Sequence, residues 1–88
     1  MKLQEEDKAL LLSWGYGKRD LPQIEEALKG RITVYKLDNR PISREKAIEL
    51  LGMRDFLSGI ARSAFHWTAA RETAEGQVVL FDSRRLFK

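Results

Sequence analysis

Cysteine is absent from all 88 residues of this chain. That excludes a disulfide framework and any thiolate metal site, and it fits a reducing, cytoplasmic compartment. Histidine occurs once, as His66. A metal centre needs several His, Cys or carboxylate ligands converging, and His66 has no neighbouring carboxylate on its side of a helix, so no metal is expected. A Ser–His–Asp arrangement has only His66 to draw on, and nothing here resembles a nucleophile elbow. The glycines at Gly15 and Gly17 lack the spacing of either nucleotide fingerprint, so no cofactor is expected. Glu5, Glu6, Asp7, Glu25 and Glu26 fall in early helical turns, where the helix dipole explains them without acid–base chemistry. The longest apolar run, Ala9 to Leu12, is too short to span a bilayer, and the acidic stretch Glu5–Asp7 stands where a signal peptide needs apolar residues. These absences point to binding rather than catalysis, away from membranes.

With 43% hydrophobic and 33% charged residues, the composition is that of a folded domain, and the length allows one domain, residues 1–88. The net charge of +3 is mild, but it is unevenly placed. Between Arg31 and Arg71 eight basic residues stand against four acidic ones, and Arg84, Arg85 and Lys88 add to this at the C-terminus.

The chain order reads as follows. Residues 4–13 form a first helix, with Leu3, Leu10 and Leu11 on one face, stopped by Gly15 and Gly17. Asp20 caps a second helix with Pro22 in its first turn and Gly30 at its end. Residues 31–37 are β-branched and aromatic, a strand that Asp38 to Pro41 closes as a turn. Ser43 caps a third helix that runs to Leu51 and stops at Gly52. A fourth helix starts at Asp55 and extends to about Ala70, with Phe56, Leu57, Ile60, Ala61, Ala64, Trp67 and Thr68 on its apolar side and Gly59 near its polar side. Residues 77–81 are a second strand, and Arg84 to Lys88 a short third strand or a tail. The expected fold is α+β: four helices with a small antiparallel sheet of two or three strands, winged-helix-like in its order of elements.

The segment from Ser43 to Arg62 resembles the helix-turn-helix of repressors and excisionases: Ala47 lets two helices touch, Leu51 packs between them, and Gly52 makes the turn. One departure leaves two readings open. Leu57 and Ile60 fall one place earlier than the usual core positions of the second helix, which are Ser58 and Ala61 here, so either the turn is shorter or this is an ordinary αα-hairpin. The stretch from Ile60 to Glu72 and the ending from Phe81 to Lys88 are similar to small proteins carried by bacterial conjugative elements and prophages. That resemblance implies either a DNA-binding regulator or a protein inhibitor of the anti-CRISPR kind, and it assigns no catalytic residue.

Arg54, Ser58, Arg62 and His66 recur every four residues and so form one stripe along the fourth helix. In a duplex reader this stripe contacts phosphates and base edges, while Arg84, Arg85 and Lys88 lie along the backbone as a wing. Such a reader would act as a homodimer on paired half-sites. The alternative is a protein–protein inhibitor or adaptor that meets a host complex through the same basic face or the Phe65 edge. Any half-buried helix also shows a polar stripe to water.

Overall fold

Apolar spacing in the first half of the chain is realised as two short helices, α1 (Glu5–Ser13) and α2 (Leu21–Leu28), in a computed structural model that describes residues 3–84. α1 starts with a reciprocal cap in which Gln4 N donates to Asp7 Oδ2 at 3.1 Å. Asp20 does not cap α2 through its side chain; its Oδ2 accepts from Gly17 N at 2.8 Å and ties down the preceding turn. Ile24, Ala27 and Leu28 are fully buried on one face of α2, as their spacing requires.

The sheet is larger than the sequence led us to expect. It has four strands, all antiparallel, in the order β2-β1-β4-β3. β1 (Thr33–Leu37) and β4 (Gly76–Asp82) are the two expected strands, and they pair from Thr33 opposite Asp82 to Leu37 opposite Val78. β2 (Arg40–Ile42) replaces the expected turn over Asp38–Pro41. Asp38 and Asn39 take positive φ of 45° and 71°, which gives a two-residue hairpin loop whose twist suits the strands beside it. Pro41 is tolerated because β2 is an edge strand, where a missing donor faces outward.

α3 (Arg44–Leu51) is capped by Ser43, whose Oγ accepts from Lys46 N at 3.1 Å. Gly52, at φ 81°, is the entire link to α4 (Met53–His66), so the fourth helix begins two residues before the expected cap at Asp55. α4 also ends sooner than periodicity suggests. Trp67 adopts the left-handed conformation, φ 71°, and turns the chain straight into β3 (Thr68–Thr73). Trp67 O then accepts from Asp82 N at 2.8 Å, the first rung between β3 and β4. Trp67 and Thr68 therefore leave the helix face to which their spacing assigned them.

The helices cover one side of the sheet. Phe56, Leu57, Ile60, Ala61 and Ala64 of α4 pack with Leu11, Ile24, Ala27, Leu28, Ala47, Val78 and Leu80 in a single core. Leu57 and Ile60 are at the centre of this core as expected, whereas Leu51 is only half-buried. Gly59 is buried rather than near the polar side, and a Cβ there would touch Leu80 Cδ1 and Cδ2 at 3.4 Å. Tyr35 stacks on Phe56 at 5.9 Å between centroids. The two hairpin tips are latched together. Asp38 Oδ1 accepts from Gln77 N at 2.9 Å, in space that only a glycine at position 76 leaves free. No helix among the described residues is long and apolar enough to cross a membrane.

Candidate functional site

Half of α4 is buried against the core, and what remains exposed is a narrow strip. Arg54, Arg62 and His66 lie on it exposed, with Ser58 half-buried between Arg54 and Arg62. The structure thus keeps the four residues of the expected stripe on one side of one helix. Two hollows flank that strip. The larger, about 370 Å³, lies between α4 and β3 and is lined by Ser58, Gly59 and Arg62 from the helix and by residues 68–71 from the strand. The smaller, about 260 Å³, lies on the other flank, where Ser58, Arg62 and His66 face Trp14 and Tyr16. Tyr16 is held there by stacking on Phe65, 5.7 Å between centroids. Phe65 is accordingly half-buried.

Arg62 and Ser58 belong to both hollows, and Arg71 joins them from across the larger one. Among the described residues, two guanidiniums and the Ser58 hydroxyl line this groove, and no carboxylate does. Glu72 belongs to the opposite face of the sheet, because side chains alternate along a strand. Such a site suits an anionic group held by paired cations and a neutral donor.

Arg84 has a different place. Its Nε donates to Asp82 Oδ2 at 2.8 Å and to Oδ1 at 3.0 Å, Nη2 also donates to Oδ2, and the guanidinium lies 5.9 Å from the Trp67 ring centroid. Asp82 is 1% exposed. Burial pushes its carboxyl up, but the hydrogen bonds and charge of Arg84 outweigh this and hold it below the usual carboxylate range. Arg84 therefore neutralises a buried acid at the end of β4 and does not join the α4 strip. Arg85 and Lys88 lie outside the described residues. Arg44 is also engaged internally, donating to the Leu28 carbonyl.

Among the described residues no group of His, Cys, Asp and Glu is arranged to hold a metal ion. No family model, curated protein or solved structure matches this chain.

Arg71 went unread as a groove residue because the segment just before it looked like the tail of a helix. The signal that reveals it is the Glu75-Gly76 turn. A tight turn directly before a strand calls for an antiparallel partner directly ahead of it, at residues 68–73.

Proposed function

We propose that this domain is a protein-binding module, an adaptor or inhibitor that holds a partner protein against α4 and β3. The observation that carries this reading is the carboxylate-free groove between helix and sheet edge, with Arg62 and Arg71 on its two walls. A groove beside an exposed sheet edge is a form in which proteins take up a segment of a partner. The Trp14–Tyr16 hollow extends it across the helix with aromatic surface of the kind that anchors protein interfaces.

A second reading, duplex DNA binding, draws support from the order of elements. From α2 onward the chain runs helix, hairpin, two helices and hairpin, with β1 pairing to β4, which resembles the winged-helix order apart from the added α1 and β2. In that reading α4 is the recognition helix and β3–β4 the wing. The charges around it favour the protein partner. The hairpin carries Glu72 and Glu75 near its tip, α3 exposes Glu45 and Glu49, and Arg44 and Arg84 are spent internally. Phosphate affinity rests on free cations, and these acids oppose it.

The test pairs two measurements on the intact chain. A photo-crosslinking residue at position 58 should capture a host protein from lysate, and Arg62→Glu should abolish that capture while the melting temperature stays within a few degrees of wild type. Fluorescence anisotropy with a random-sequence duplex should show no binding at moderate salt. Binding of duplex that falls steeply with salt, together with no Arg62-dependent protein capture, overturns the proposal in favour of DNA.

A further inference from the structure

Among the described residues the outer edge of β3 is unpaired: in the strand order β2-β1-β4-β3 it has a neighbour on one side only. The hydrogen-bonding phase of this edge follows from the register. Asp82 N donates to Trp67 O, and pairs alternate along an antiparallel ladder. Ala69, Arg71 and Thr73 therefore turn their backbone groups toward Leu80, Val78 and Gly76. Thr68, Ala70 and Glu72 turn their N–H and C=O groups outward. β1 and β4 agree with this phase, since Asp38 N donates to Gln77 O at 2.9 Å and places the odd residues of β4 toward β1.

Natural sheets guard such edges with proline, short strands, bulges or charged side chains. The other edge of this sheet is guarded: β2 has three residues and contains Pro41. β3 has six residues and no proline, and its register with β4 runs without a bulge. The groove of about 370 Å³ runs along this open edge, with α4 as its far wall. A free strand edge facing a helix across a groove is the geometry in which proteins accept an extended peptide as an added strand.

We propose, resting on the protein-partner reading above, that this groove takes an extended acidic segment of the partner, which adds to β3 as a fifth strand. Backbone groups of the segment pair with Thr68, Ala70 and Glu72. Alternate side chains of the segment then point into the groove, where Arg62 and Arg71 meet them from the helix and the strand. Charge complementarity identifies those side chains as Asp or Glu, because among the described residues both charged groups lining the groove are cationic. The intervening side chains fall on the open face of the sheet beside Ala70, Val79 and Phe81, where small or β-branched apolar residues fit.

The probe is a capped heptapeptide alternating glutamate with valine, about the length of β3. Its controls are the same peptide with lysine for glutamate and the same peptide N-methylated at alternate nitrogens. Titrated into the labelled protein and followed by amide NMR, the glutamate peptide should slow hydrogen exchange at the Thr68, Ala70 and Glu72 amides and leave Ala69 and Arg71 unchanged. The lysine and N-methyl peptides should bind at least about tenfold more weakly, as expected for lost charged or backbone hydrogen bonds. Arg71→Glu should reverse the preference between glutamate and lysine peptides. Ala70→Pro should abolish binding, and the N-methyl control serves the same purpose without touching the protein. Binding that is indifferent to N-methylation, or equal for both charges, overturns the proposal, as does an absence of saturable binding. Partner capture that depends on Arg62 but survives Ala70→Pro overturns strand addition while leaving the partner reading intact. Failure of capture itself removes the reading on which the proposal rests.

Discussion

The Tyr35 hydroxyl offers a sharp check on the packing. Its Oη is buried and has no hydrogen-bond partner among the described residues, and the side chain is 6% exposed beneath α4. A buried hydroxyl without a partner loses its water contacts and gains nothing in return, a cost of about 1–3 kcal/mol. Tyr35→Phe keeps the ring and its stacking on Phe56 and removes only that oxygen. The variant should be more stable than wild type at neutral pH, by about 1 kcal/mol, or about 4–8 °C in melting temperature for a domain of this size. The alkaline limb supplies a second, independent readout. Burial pushes the phenol up to about 12, with Arg44 opposing the rise and Glu45 adding to it. The unfolded chain ionises near its ordinary value of about 10. A raised folded value means the associated stability is complete below pH 10 and is lost as pH climbs through 12. The full loss is about 2–3 kcal/mol, at 1.36 kcal/mol for each unit. Urea unfolding followed by Trp14 and Trp67 fluorescence should therefore show wild type falling away from Tyr35→Phe between pH 10 and 12. A Phe variant less stable than wild type at pH 7, or parallel alkaline limbs, would mean that the hydroxyl has a partner or meets solvent, and the reasoning would fail.

Three further outcomes follow from the core and its rim. Leu57→Ala, at a side chain 2% exposed, should cost about 2–5 kcal/mol by chemical denaturation, while Leu51→Ala should cost clearly less because Leu51 is half-buried. Gly59→Ala should be stabilising by up to about 1 kcal/mol, since the methyl meets Leu80 at ordinary van der Waals distance and the helix gains propensity. Gly59→Val, with two more methyls in the same gap, should be destabilising in the same melting assay. Arg84→Ala should destabilise the fold most at neutral pH, because it leaves the Asp82 carboxylate buried without its cation. The Asp82–Arg84 contribution is present above the ordinary carboxylate range and lost as pH falls through the lowered folded value, so the gap between variant and wild type should close in acid.

What was legible in the sequence was local chemistry. Ser43 as a cap, Gly52 as a stop, the α2 stripe and the two central strands all follow from side chains acting on their own backbone or on a single buried face. The stripe of Arg54, Ser58, Arg62 and His66 was legible for the same reason, since helical spacing alone fixes it. The misses share one cause: a longer-range demand overrode local preference. Trp67 and Thr68 have helical spacing, but the pairing of Trp67 O with Asp82 N holds the chain in another conformation. Arg40 and Pro41 looked like the end of the turn because Pro41 cannot serve a central strand, yet an edge admits it. Arg71 enters the groove only once β3 exists, and β3 exists only because β4 needs a partner. The pairing of Arg84 with Asp82 was not legible because nothing in its neighbours in sequence reveals that Asp82 is buried.

The open edge of β3 also governs how the protein behaves toward copies of itself. Two chains pairing antiparallel about Ala70 would set Ala69 of each opposite Arg71 of the other and draw both pairs of groove arginines toward one axis. Four guanidiniums would then crowd together in grooves that no carboxylate lines, and their repulsion opposes the association. Electrolyte weakens that guard, because the screening length shrinks from about 10 Å at 0.1 M to about 3 Å at 1 M. Adding salt, a common remedy for a basic protein that precipitates, is then the condition that encourages this one to stack edge to edge.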